Sequence, residues 1–145
     1  MASYLLTTKA LMEFLLKGKS RREDFKTWCA QRDKEDLFYT SSICFGEARS
    51  RVEASSLAPH QKSSWRETLQ EATGIFEGRI LSFDLNAANE WANYRTFGAT
   101  ALTDIDGMLI GISRSQQLIL VGPHKPAYDK LGIEIIDPCN GEDWN

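Results

Sequence analysis

The sequence predicts an α/β domain in three layers, a mostly parallel central sheet with helices on both faces. Short apolar runs alternate with amphipathic helical stretches from one end of the chain to the other, the pattern of strands joined by helical crossovers. The chain has 145 residues, 42% of them hydrophobic and 26% charged, which suits a single compact domain over 1–145 with a real core. No repeat, low-complexity tract or linker interrupts it.

Tyr4 to Leu6 is a short apolar run suited to a buried strand, and Ala10, Leu11, Phe14 and Leu15 then recur at helical spacing. Beyond Gly18, the segment Arg22 to Gln31 predicts a helix that buries Phe25, Trp28 and Cys29. "DLFYTSS" reads as the next strand, with Ser41 or Ser42 capping a helix that carries Glu47 in its second turn. From His60 to Phe76, the positions Trp65, Leu69, Ala72 and Ile75 mark another amphipathic helix, stopped by Gly78. "RILSF" is a strand, and Asp84 is placed to cap a helix with Ala87, Ala88, Trp91 and Tyr94. "GATALTD" reads as a loop into a helix from about Ile105 to Ser113, and "LILVG" and "IEII" supply the last strands, joined by a short segment around Tyr128. In such a sheet ligands lie beyond the carboxyl ends of the strands.

Seventeen Lys plus Arg against twenty Asp plus Glu give a formal net charge of -3, so the molecule as a whole does not attract polyanions and any nucleic-acid contact is local. The most basic run, Lys17, Lys19, Arg21 and Arg22, reads as a solvated loop. Cys29, Cys44 and Cys139 are odd in number, widely spaced and free of C-x-x-C pairing, which points to a reducing compartment; the expected location is cytoplasmic. Lys9 and Glu13 break the first apolar stretch, which also lacks a small-residue cleavage site, so it reads as core and not as a signal peptide or membrane span.

The stretches "YLLTTKALMEF", "DLFYTSSICFGEARSRV", "EGRILSFDLNAANEWANYR", "DIDGMLIGISRSQQLILVGPH" and "LGIEIIDP" carry a resemblance. In this order, and over nearly the whole length, the chain resembles the PIN-domain family, and within it the VapC and FitB type of toxin from bacterial toxin–antitoxin pairs. "GRILSFD" followed by an alanine-rich helix with Trp91 is the most specific of these markers. The resemblance implies a PIN-like fold and a metal-dependent ribonuclease site, in which about four acidic positions at the carboxyl edge of the sheet hold Mg²⁺ or Mn²⁺. Hard divalent cations prefer oxygen ligands, lower the pKa of bound water and offset charge on a phosphoryl group.

Carried over residue by residue, this site is half present. Glu47 matches the acid of the second motif and Asp106 that of the third; these are the two candidate metal ligands, if a metal is bound at all. Glu13 matches a glutamate common in these toxins and is the expected supporting residue. The aspartate that usually follows strand one is Thr7, and the asparagine two residues later is Lys9. The fourth motif, normally Thr-Arg followed by an acid or amide, reads Gly122, Pro123, His124.

Thr7, Glu47, Asp106 and His124 are expected to converge in one near-neutral or mildly acidic cleft. Asp106 and Asp104 could also serve simply as helix caps. Lys9 opposes the macrodipole at the start of its helix, at a cost of about 0.3 to 1 kcal/mol, and its ammonium either points into water or reaches Glu47 or Asp106 where the family's metal would lie. The expected function is a PIN-type domain whose ribonuclease activity is lost or weakened. The alternatives are a nuclease with altered ligands, including Asp104, Glu13 or His124, and a non-catalytic protein- or RNA-binding module. The resemblance further implies a homodimer and a small antitoxin-like partner, with RNA as a further candidate and no membrane.

Overall fold

The computed structural model describes residues 2–16, 21–96, 102–140 and 144. Five strands, β1 (Ser3–Leu6), β2 (Leu37–Ser41), β3 (Ile80–Leu81), β4 (Ile119–Val121) and β5 (Ile135–Ile136), form one sheet in the order β3-β2-β1-β4-β5. All neighbouring pairs are parallel. The helices are α1 (Thr8–Leu15), α2 (Glu23–Ala30), α3 (Ser42–Ala54), α4 (Pro59–Ile75), α5 (Leu85–Thr96), α6 (Asp104–Gln116) and α7 (Pro126–Lys130). The chain winds outward from β1 through β2 to β3, then returns to the other side of β1. Right-handed crossovers in these opposite directions clothe opposite faces of the sheet, the three-layer α/β arrangement expected from the sequence. The switch point of such a sheet lies between β1 and β4, where Thr7 and Gly122 follow directly on their strands.

The elements differ from their sequence-based bounds mainly at the ends, where capping decides. Ser41 is the cap of α3: its Oγ accepts from the Ile43 amide at 3.1 Å. Arg22 stands outside α2 as its N-cap, and Pro59, whose ring suits a first helical position, starts α4. Asp84 accepts from the Ala87 amide at 2.9 Å, as a cap of α5 should. α6 begins at Asp104 and runs to Gln116, because Thr103, not an aspartate, is the N-cap. Of the loop expected before it, residues 98–101 lie outside the described residues, as do Lys17 and Lys19 of the basic run. Arg21 does not project freely; its guanidinium caps the end of α1 by donating to the Phe14 and Leu16 carbonyls.

Leu5, Leu6, Leu11, Phe25, Phe76, Ile110, Leu120 and Val121 fill the core. Trp28 and Cys29 are only half-buried, packed against its edge. Ile75, expected on the buried face of α4, is 54% exposed, because the helix ends there and Phe76 takes the inward position. All three cysteines are free thiols. Among the described residues no helix is long and apolar enough to cross a membrane.

Candidate functional site

At the carboxyl edge of β1 and β4 a cleft of about 170 Å³ is lined by Thr7, Lys9, Glu47, Arg51, Asp106 and Lys125 among others. Parallel pairing puts Leu6 against Val121, and the next step sets Thr7 beside Gly122; the Thr7 amide donates to the Val121 carbonyl at 3.0 Å. Gly122 is glycine for a physical reason, since a Cβ there would overlap the Thr7 side chain. Thr7 is 8% exposed, and its Oγ1 has no hydrogen-bond partner among the described residues. It is the N-cap of α1, yet its side chain does not cap the helix, and the first turn of α1 carries no acid.

The two matched acids face this cleft, each with a cation attached. Glu47, one turn before Arg51 on α3, pairs with it at 3.4 Å. Asp106 Oδ2 accepts from the Thr103 amide at 3.2 Å and from Lys125 Nζ at 2.6 Å. Thr103 Oγ1 accepts in return from the Asp106 amide at 3.1 Å, so Asp106 closes a capping box as well as facing the cleft. Both expected roles of Asp106, cap and cleft residue, meet in one carboxylate. Asp104 instead points outward to Arg95 at 3.6 Å. The cleft wall also includes Tyr128, whose hydroxyl is held well above its usual pKa by burial and then by Asp106. The buried Cys44 thiol, 3.5 Å from the Leu6 carbonyl, is pushed up to about 11 by burial.

Lys9 reaches neither acid. Its ammonium donates to the Trp144 carbonyl at 3.1 Å, while the Trp144 indole donates to Asp137 at 3.0 Å and meets Phe25 edge-on at 5.9 Å. The cation on Asp106 is Lys125, which no motif match had singled out; its place just after the Gly122-Pro123-His124 stretch was the available signal. His124 does not line the cleft. Pro123 on one side and Lys125 on the other do, and the intervening residue turns outward, its amide held by Asp137 at 3.1 Å and its ring by Asp129 at 3.0 Å. Glu13 is buried away from the cleft, where Oε2 accepts from the Arg22 amide at 2.8 Å and fastens the start of α2. The structure therefore brings together Thr7, Lys9, Glu47 and Asp106, and leaves Glu13 and His124 outside.

The electrostatic balance also departs from expectation. Among the described residues the cleft is lined by three cationic side chains, Lys9, Arg51 and Lys125, against two carboxylates, one positive charge more than the neutral or mildly acidic set that was expected. A hard dication needs several oxygen donors free to turn toward it. Here both carboxylates are engaged by cations, and among the described residues no group of three or more His, Cys, Asp or Glu could hold a metal. This donor set does not fit Mg²⁺ or Mn²⁺.

A larger groove of about 390 Å³ lies at the other end of β4, lined by Glu90, Ser113, Arg114, Gln117 and Glu134 among others. It faces the amino edge of the strand, away from the switch point, and gathers none of the matched residues. The smaller cleft is the candidate site.

No family profile matches the sequence, and no curated protein matches it significantly. Solved structures do resemble it. A chain of FitAcB from Neisseria gonorrhoeae is 24% identical with a TM-score of 0.77, over 93% of this chain and 97% of that one. A chain of DNA-bound VapBC from Salmonella typhimurium is 23% identical with a TM-score of 0.68, over 96% and 100% respectively. A chain of VapBC-5 from Mycobacterium tuberculosis, a member of the VapBC family of toxin-antitoxin systems, is 18% identical with a TM-score of 0.63, over 94% and 98%. The chain thus has the PIN-like fold found in FitAB and VapBC toxin–antitoxin complexes, the fold that the motifs of its sequence imply.

Proposed function

We propose that this chain is a PIN-type domain of the VapC and FitB kind in which metal-dependent ribonuclease chemistry is lost or greatly weakened, and which acts by binding. The carrying observation is the pairing of both remaining acids with cations, Glu47 with Arg51 and Asp106 with Lys125, in a cleft that holds a third cation, Lys9. Drawing a dication into that space would require separating at least one ion pair and bringing like charges together. Thr7, where the family places a carboxylate, supplies only a hydroxyl.

The partner this reading favours is a small antitoxin-like protein, because similar chains come from toxin–antitoxin complexes; the working form it proposes is a homodimer in the cytoplasm. An antitoxin that inserts a basic side chain would meet Lys9, Arg51 and Lys125 in this cleft and be repelled, so the partner of this chain engages other surfaces or offers an anion. The test is Mn²⁺ titration together with cleavage of a labelled RNA, with and without chelator. Weak metal binding and no chelator-sensitive cleavage are expected. Cleavage that requires Mn²⁺ and disappears in both Glu47→Gln and Asp106→Asn would replace this reading with that of an altered-ligand nuclease.

A further inference from the structure

We propose that Asp137, just past the end of β5 and outside the cleft lining, is the positioning residue that sets where Lys9 and Lys125 stand in the cleft. The inference rests on the reading of this cleft as the functional site. Gly122 and Asp137 directly follow the paired residues Val121 and Ile136, and the Gly122 amide donates to the Ile136 carbonyl at 3.0 Å. There the ladder stops, because Pro123 has no amide to continue it. The next donor along the chain, the His124 amide, goes instead to the side chain of Asp137, at Oδ2 and 3.1 Å. Lys125 follows in extended backbone, with φ -131° and ψ 141°. Successive side chains of an extended segment point to opposite sides, so holding the His124 backbone with its ring turned out to Asp129 sends Lys125 inward, where Nζ meets Asp106 at 2.6 Å.

The other oxygen serves Lys9. Asp137 Oδ1 accepts from the Cys139 amide at 2.9 Å, which closes a turn just after β5, and from the Trp144 indole at 3.0 Å. Trp144 is 4% exposed, its ring fixed by this bond and by the edge-on contact with Phe25. An indole so fixed also fixes its own main-chain carbonyl, and that carbonyl accepts from Lys9 Nζ at 3.1 Å. Lys9 is thereby held off both acids. Arg51, by contrast, is paired within its own helix, one turn from Glu47. Of the three cations that line the cleft among the described residues, two therefore depend on one carboxylate at the end of β5, and the charge pattern that a partner meets is set from outside the cleft.

The test is pulsed acylation of the full chain with a water-soluble succinimidyl ester, read for each lysine by peptide mass spectrometry against the exposed Lys34 as internal reference. Trp144→Phe keeps a buried ring and removes the indole donor. Lys9 should then react about threefold faster, as when one hydrogen bond holding an amine is lost, while Lys125 keeps its rate. Asp137→Ala should free both lysines. Asp137→Asn, which keeps the shape but offers a single acceptor oxygen to donors on two sides, should free at least one of them even if the alanine variant does not fold. Leu69→Ala, a core truncation on α4, controls for lost stability and should leave both rates unchanged. Unchanged lysine rates in Asp137→Asn, a Trp144→Phe variant that speeds Lys125 as much as Lys9, or equal rises in Leu69→Ala overturn the inference. Mn²⁺-dependent RNA cleavage by the original chain would overturn the non-cleaving reading and leave the lysine assignment standing, whereas unchanged lysine rates in a chain that neither binds Mn²⁺ nor cleaves overturn this inference alone.

Discussion

Two helices present their amino ends to the cleft, and the sequence has finished them in opposite ways. At α6, Thr103 and Asp106 form a reciprocal capping box, and the same aspartate holds Lys125, so the Asp106 amide, its carboxylate and the cation are all engaged. At α1, Thr7 occupies the cap position without capping, the first turn has no acid, and Lys9 adds positive charge. One end is closed by an acid and the other is open beside a base. The lesson is that counting acids near a sheet edge says little about metal binding until the partner of each carboxylate is known. Asp106 matches a ligand position, yet its charge is already offset by a helix end and a lysine.

This contrast can be broken most severely by unseating α6. Gly107 and Gly111 let α5 approach it, with Trp91 against both, and a Cβ at Gly111 would overlap the Ala87 carbonyl oxygen. Gly111→Ala should therefore cost about 3 kcal/mol, at the upper end for overpacking, because backbone cannot yield as a side chain can; urea unfolding measures it. The corresponding blow to the open end is Gly122→Ala, which presses on the Thr7 side chain and should cost about 2 kcal/mol. Adding Thr7→Ala should recover part of that loss; if it recovers none, Thr7 is not what confines Gly122.

A change of chemistry sharpens the contrast further. Thr7→Asp with Lys9→Asn gives α1 an acidic cap and removes its lysine, and Mn²⁺ affinity should rise about tenfold from a starting value no tighter than about millimolar. Because Lys125 and not Lys9 is the cation on Asp106, adding Lys125→Gln should raise it again. Isothermal titration of the original, double and triple forms would show a flat series if the ion pairs do not govern metal affinity. At the closed end, Thr103→Ala should cost about 1 kcal/mol through loss of the cap, read from the unfolding midpoint.

The smallest effect is expected outside the cleft, at the exposed end of α3. Glu53 pairs with Arg66 on α4 at 2.6 Å and with Arg49 at 3.2 Å, and the hydrogen bonds from Arg66 hold its carboxyl down to about 2. Because the fold lowers this pKa, the contribution to stability is present above about pH 4.5, the unfolded value, and is lost as pH falls toward 2. Arg66→Gln should flatten the acid limb of stability in that window and shift the neutral-pH midpoint only slightly, since exposed ion pairs are screened by water. A large neutral-pH shift would mean that this surface pair matters as much as the pairs in the cleft.

The order of strands and helices was legible because periodicity reports which face of each segment is buried, and a strand–helix alternation of this length leaves few topologies. Caps were partly legible: Ser41 and Asp84 act where their residue types suggest, whereas Thr103 was missed because Asp104 and Asp106 beside it were equally plausible candidates. The convergence of Thr7, Glu47 and Asp106 also followed from the sequence, since a parallel sheet gathers what succeeds its strands at one edge. What only the tertiary structure decided was the partner of each charge. Lys9 meets Trp144, 135 positions along the chain, Asp106 meets Lys125, and His124 turns out to Asp129 between two neighbours that face in. Such pairings depend on side-chain direction and on distances of a few ångströms between segments remote in sequence, which no periodicity encodes, whereas the edge at which those segments meet is set by backbone pairing and hydrophobic pattern alone.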